Sequence, residues 1–129
     1  MTDRPSGTVT FLFTDIAGSS QRWERNPTAM QATLRRHDAI LRQILAAHGG
    51  YVFKTGGDAF YAAFTRAPDA LAAALAAQQA ILADDWGAEG PLQVRMALHT
   101  GTPEERDGDY FGPPLNRASR LLVGHAAIE

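Results

Sequence analysis

Three short segments carry polar residues of the kinds that handle nucleotides. In Phe13-Thr14-Asp15-Ile16-Ala17-Gly18-Ser19-Ser20 an apolar run ends in an acid and then a glycine-serine turn. In Lys54-Thr55-Gly56-Gly57-Asp58-Ala59-Phe60 a base and an acid flank two glycines. The third is Asp109-Tyr110-Phe111-Gly112, followed by Asn116-Arg117-Ala118-Ser119-Arg120. Asp15 and Asp58 offer the hard oxygens that Mg²⁺ prefers. Brought together at strand ends, two carboxylates repel unless a cation lies between them. Two metals clamped by two acids suit in-line displacement at phosphorus. Free amides in the Gly18-Ser19-Ser20 turn can meet a phosphate. Lys54 can donate to a nucleobase and Asp109 can accept from one. Asn116 and Arg120, four residues apart, share a helix face. There Asn can orient a ribose, and the guanidinium fork matches phosphate geometry.

Each motif taken singly has a plainer reading. Asp15 can start a turn or cap a helix, and Gly57-Asp58 can be an ordinary hairpin tip. Lys54 can be a solvated strand-end lysine, Asp109 a turn residue, and Asn116 and Arg120 a wet helix face. Their order, on strands and turns that converge, argues for a site.

The elements that must position them are legible in the periodicity. Thr8–Thr14 alternates, with Val9, Phe11 and Phe13 on one side, as a strand does. Asn26-Pro27 starts a helix. Met30, Leu34, Leu41, Ile44, Leu45 and His48 recur along it, and Gly49-Gly50 ends it. Tyr51–Lys54 and Ala59–Phe64 form a hairpin around Gly56-Gly57. Thr65 to Ala83 is a second long helix, with Leu71, Leu75 and Leu82 as its expected buried stripe. Leu92, Val94, Met96 and Leu98 alternate as a strand, Glu104–Asp109 reads as a charged turn, and Pro113–Leu122 as a short helix. This β-α-β-β-α-β order with a further helix predicts a ferredoxin-like α+β sandwich. Its two long helices cover one sheet face; the other is expected to be wet or to meet a partner. Trp23 and Trp86 are expected to pack. His37, His48, His99 and His125 lack paired ligand spacing, so a structural role is expected and zinc is not.

The bulk numbers narrow the classes. With 129 residues, one domain over 1–129 is expected. A formal net charge of −2, from 12 basic and 14 acidic residues, argues against a general nucleic-acid or membrane-surface binder. It leaves room for a small anionic ligand. The absence of cysteine excludes disulfides and thiolate metal sites. Met1-Thr2-Asp3-Arg4-Pro5 leads directly towards a strand, so no secretory signal and a cytoplasmic location are expected. Pro68, Asp69 and Gln78-Gln79 interrupt the alanine-rich stretch, which therefore reads as a packed helix and not a membrane span.

In combination these residues resemble the class III nucleotidyl cyclase catalytic domain, of the bacterial adenylate/guanylate cyclase type. Phe11–Ile16, Tyr51–Phe60, Val94–Gly101 and Asp109–Leu122 carry the likeness, which extends from Gly7 onward. The resemblance implies that Asp15, Ile16 and Asp58 form a site for two Mg²⁺ or Mn²⁺. It implies that Lys54 and Asp109 recognise the purine, as an adenine-selecting pair. Asn116 would position the ribose, Arg120 would stabilise charge on the reacting phosphate, and Ala17, Gly18, Ser19 and Ser20 would cradle the triphosphate. It further implies conversion of ATP to 3′,5′-cyclic AMP and pyrophosphate, with GTP left open as a second substrate. The site would lie between the subunits of a homodimer: one supplies the acids, the other Lys54, Asp109, Asn116 and Arg120.

Two positions depart from the family pattern: Ala17 replaces a common acid and Gly56 a common branched residue. The family domain usually continues with a glycine-rich turn and further strands, so a domain lacking those strands is expected, with weaker triphosphate binding. That feature motivates an alternative, a noncatalytic or weakly active nucleotide-binding and dimerisation module. A diguanylate cyclase is a third reading, since Gly56–Phe60 resembles that family's hairpin. The Asn116/Arg120 helix and the base-reading pair disfavour it.

Overall fold

The computed structural model describes residues 4–124; His125 and the chain ending lie outside them. Four strands form one antiparallel sheet: β1 (Val9–Ile16), β2 (Tyr51–Gly56), β3 (Ala59–Phe64) and β4 (Val94–Gly101). Their order across the sheet is β2-β3-β1-β4, the ferredoxin-like arrangement expected from the element order. Strand β1 lies in the centre and is buried on both faces: Leu12 and Ile16 on one, Val9, Phe11 and Phe13 on the other. It runs two residues beyond the expected end, because Asp15 and Ile16 pair with Arg95 and Val94 of β4. Asp15 is therefore held by a ladder and not by a turn.

Helices α2 (Pro27–Ala47) and α3 (Ala67–Ala83) cover the first face. Asn26 caps α2 as its sequence predicts, its side chain accepting the Ala29 N–H at 3.1 Å. The expected buried stripe of α3 is wrong. Leu71, Leu75 and Leu82 are exposed, at 41%, 50% and 76%. The buried face is Ala70, Ala73, Ala74, Ala77 and Ile81. Both sets recur at helical spacing, and after Asp69 the helix has no charge to mark the wet side. The sheet and α2 already supply bulky Phe60, Phe64, Leu41 and Leu45, so the small residues of α3 fill the remaining space. Trp23 also departs from expectation, being 37% exposed. Trp86 does pack, and its indole N–H donates to the Ile81 carbonyl.

The second sheet face is not bare. Helix α4 (Pro113–Gly124) lies across β1 and β4, burying Ala118 and Leu122 against Val9, Phe11 and Ala97. Gly101 permits that approach: a Cβ there would stand 2.7 Å from Pro114 Cγ. The expected charged turn before α4 is a two-stranded hairpin, β5 (Glu104–Arg106) and β6 (Asp109–Phe111). Asp107 and Gly108 turn it, both with positive φ, as a tight hairpin requires. Among the described residues, the β2–β3 end of this face lies beyond the reach of α4. Of the expected structural histidines, His37 is fully buried, with Nδ1 on Asp38 Oδ1 at 2.8 Å. His48 caps its own helix through the Ile44 carbonyl.

Candidate active site

The part of the sheet that α4 leaves open is a cavity of about 320 Å³. Lys54, Asp109, Asn116 and Ser119 supply its polar groups, and Phe13, Phe53 and Tyr61 much of its wall. Each polar group arrives on a different element. Lys54 reaches it because β2 carries a bulge: Val52 pairs with Ala62 and Lys54 with Tyr61, leaving Phe53 as the extra residue. Phe53 and Lys54 consequently both line the cavity, against simple alternation. Asp109 opens β6, and its carboxylate accepts the Tyr110 N–H at 2.7 Å. Asn116 stands on the first turns of α4. The floor is built from edge-to-face rings, with Phe13–Tyr61 centroids 4.7 Å apart and Phe53–Tyr110 4.8 Å. A cavity with an apolar aromatic floor, one cation, one anion and an amide suits a planar heterocycle carrying both donors and acceptors.

The hairpin carrying Asp109 is tied to the segment before β1. Tyr110 donates its hydroxyl to the buried Pro5 carbonyl at 2.6 Å, and the Gly7 N–H donates to Glu105 at 3.1 Å. Burial, reinforced by the nearby Glu105 charge, pushes the Tyr110 phenol up to about 12. The phenol is thus a fixed neutral donor that helps hold Asp109 in place.

The two acids meet elsewhere, where β1 ends beside the β2–β3 turn. Asp58 accepts the Ile16 N–H at 2.5 Å, which ties the hairpin tip to the residue that follows Asp15. Asp15 is engaged by a residue the sequence did not flag. Arg95 donates Nε to Oδ1 at 2.7 Å and Nη2 to Oδ2 at 2.6 Å. This bond, and the Asp58 charge nearby, raise the guanidinium above its usual value. Alternation along β4 marks Arg95 only as a polar position; the β1–β4 register makes it the direct neighbour of Asp15.

The donor set fits a hard divalent cation. The Asp15 and Asp58 carboxylates and the Ile16 main-chain carbonyl would offer only oxygen, and Mg²⁺ rarely uses a complete protein cage. Among the described residues no group of three or more His, Cys, Asp or Glu side chains gathers at one point. Any ion here would therefore take its remaining ligands from water and substrate.

The remaining candidates are placed less centrally. Gly18 is left-handed, with φ 68°, and opens the short helix α1 (Ser19–Arg25). The Ala17 N–H is already donated to the Gln93 carbonyl at 2.8 Å, which leaves the later amides of the turn for a ligand. Arg22 steadies α1 by donating to the Glu89 carbonyl at 2.7 Å. Arg120 is exposed and lies outside the cavity lining, as do Asp15 and Asp58. The fold thus assembles two separate groups, the acids at one strand end and the Lys54–Asp109–Asn116 set in the cavity.

The family model described as "Adenylate and Guanylate cyclase catalytic domain" matches residues 1–125. An adenylate cyclase of Podospora anserina is 36% identical over 142 residues, covering 91% of this chain and 7% of the fungal protein. An uncharacterized protein of Mycobacterium tuberculosis (strain ATCC 25618 / H37Rv) is 40% identical over 119 residues, covering 91% of this chain and 39% of the relative. The chain therefore spans well under half the length of these relatives. Among solved structures, an adenylate cyclase from Trypanosoma brucei in its monomeric state superimposes with a TM-score of 0.82. It is 26% identical, with 92% of this chain and 69% of that one covered.

Proposed function

Because the chain belongs to the adenylate and guanylate cyclase catalytic-domain family, we propose that it converts ATP to 3′,5′-cyclic AMP and pyrophosphate at sites shared by two copies. The observation that carries this reading is the separation of the two groups. A nucleotide whose base enters the Lys54–Asp109 cavity has no acid pair in that same cavity. A twofold dimer supplies it: the acids of one copy face the cavity of the other, and two equivalent sites form.

In this arrangement Lys54 donates to a ring nitrogen of adenine and Asp109 accepts from its amino group. Phe53 and Tyr61 exclude water from the ring. Asn116 holds the ribose so that its 3′-oxygen stands in line with the α-phosphorus. The 3′-hydroxyl gives its proton to solvent, the O3′–Pα bond forms, and the Pα–O bond to the β-phosphate breaks, releasing pyrophosphate. Arg120, though exposed within one chain, offers its guanidinium to charge building on that phosphate. Gly18, Ser19 and Ser20 present amides to the departing phosphates. Divalent metal held by Asp15, Asp58 and Ile16 would supply Lewis-acid stabilisation of the phosphoryl charge and favour the ionised 3′-oxygen.

The test is turnover with Mn-ATP and with Mn-GTP as protein concentration is varied. Cyclic AMP forming with a rate that rises as the square of protein at low concentration is the expected result. A rate per chain independent of concentration would remove the shared site. Faster turnover of GTP would reassign the substrate.

A further inference from the structure

The Asp15–Arg95 pair has a consequence for how a cation enters. Both carboxylate oxygens of Asp15 are occupied by one guanidinium, through bonds of 2.7 and 2.6 Å. The two residues are direct partners across the β1–β4 ladder, so the sheet itself sets their alignment. Neither side chain is fully enclosed, with 19% of Asp15 and 33% of Arg95 exposed. A bidentate, charge-assisted pair on rigid strands is the strong kind of surface-proximal ion pair. It also answers a local problem, since Asp15 and Asp58 would otherwise converge as two uncompensated anions. A divalent ion bound to Asp15 at about 2.0–2.1 Å would repel a guanidinium kept on the same oxygens.

We infer that Arg95 is a positioning residue that serves as the resident counter-ion of Asp15, so that divalent metal enters by exchange with the guanidinium and not by filling a free site. This rests on the reading that Asp15 and Asp58 hold metal. Arg95 keeps the carboxylate aligned while no ion is bound, and its partial exposure gives it room to swing away. The guanidinium lowers apparent metal affinity, because each binding event must first break two charge-assisted hydrogen bonds.

The experiment measures Mn²⁺ binding without nucleotide, by the electron paramagnetic resonance signal of free Mn²⁺. It compares the intact chain with Arg95→Gln, Arg95→Lys and Asp15→Asn. Arg95→Gln is expected to bind about tenfold tighter, equal to about 1.4 kcal/mol. Arg95→Lys keeps the charge but loses the fork, and is expected to fall between the two. Arg95→Lys binding as tightly as Arg95→Gln would show that the positive charge does not hold the metal off, and the inference would be overturned. Unchanged or weaker binding in Arg95→Gln, with binding still lost in Asp15→Asn, would make Arg95 a purely structural partner and overturn it as well. Asp15→Asn binding Mn²⁺ like the intact chain would instead sink the underlying metal reading, and this inference with it. Should Arg95→Gln fail to fold, Mg²⁺ titration of the unaltered protein decides. The Arg95 Nε–H resonance, followed by ¹⁵N NMR, should move as the ion binds; a resonance that stays fixed at saturation overturns the exchange.

Discussion

At the scale of single residues, the proposed function gives the cavity groups base recognition and leaves the chemistry to others. Lys54 and Asp109 line the space with an aromatic floor, so their truncation should act on the base and not on the phosphate. Lys54→Ala and Asp109→Ala are each expected to lower kcat/KM for ATP by about ten- to a hundredfold, the cost of an unpaired polar group facing a buried substrate. Discrimination between ATP and GTP should narrow in the same variants. Steady-state kinetics with both nucleotides checks this, and an unchanged ATP/GTP ratio in both variants would remove them from base reading. Lys54 and Asp109 stood out in the sequence as a base beside a glycine hairpin and an acid beside a glycine, and the fold brings both to one cavity. Arg95 was not legible, because nothing in Val94–Gly101 says which residue of β1 lies opposite.

At the scale of elements, two features the sequence obscured have measurable consequences. The β5–β6 hairpin hangs on the Tyr110 hydroxyl, buried on the Pro5 carbonyl. Tyr110→Phe is expected to destabilise the fold by about 1–3 kcal/mol, since that carbonyl loses its donor. The phenol titrates at about 12 in the fold, against about 10 in an unfolded chain. Between those values the unfolded chain binds fewer protons than the native one, so stability falls as pH rises from about 10 to about 12. Below about 10 the contribution is fully present. Chemical denaturation of the intact protein and Tyr110→Phe across that window should show the slope only where the phenol is present. Helix α3 carries a second consequence, because its leucines face water and its alanines face the core. Leu82→Lys should change stability by no more than about 0.5 kcal/mol, while Ala77→Leu should cost about 1–3 kcal/mol by overpacking. Equal effects in a denaturant series would contradict the assigned faces.

At the scale of the whole molecule, Asp15 and Asp58 lie outside the lining of the Lys54–Asp109 cavity, and the proposed remedy is a second copy. That makes a complementation test decisive. Asp58→Asn lacks an acid, Asn116→Ala lacks the ribose contact, and each alone should be nearly inactive. Mixed in equal amounts, half of the random dimers are mixed pairs, each with one of two sites intact. Roughly a quarter of the normal activity should return on twofold symmetry. No recovery after demonstrated exchange of subunits would place a complete site within one chain. The same scale explains why α4 matters. By covering β1 and β4 but not β2 and β3, it converts a bare sheet face into a cavity of about 320 Å³.

The β-α-β-β-α-β order, Asp58 at the hairpin tip, the Asn26 cap and the hairpin glycines were readable from the chain alone. Each depends on local chemistry: strand alternation, helix spacing, capping and turn preference act over a few residues. The tertiary structure alone decided the burial of α3, the bulge that turns both Phe53 and Lys54 into the cavity, the cover provided by α4 and the partner of Asp15. Those depend on which strands become neighbours and in what register, and on how much volume the facing elements leave. Residues far apart in sequence set both, so no local pattern contains them.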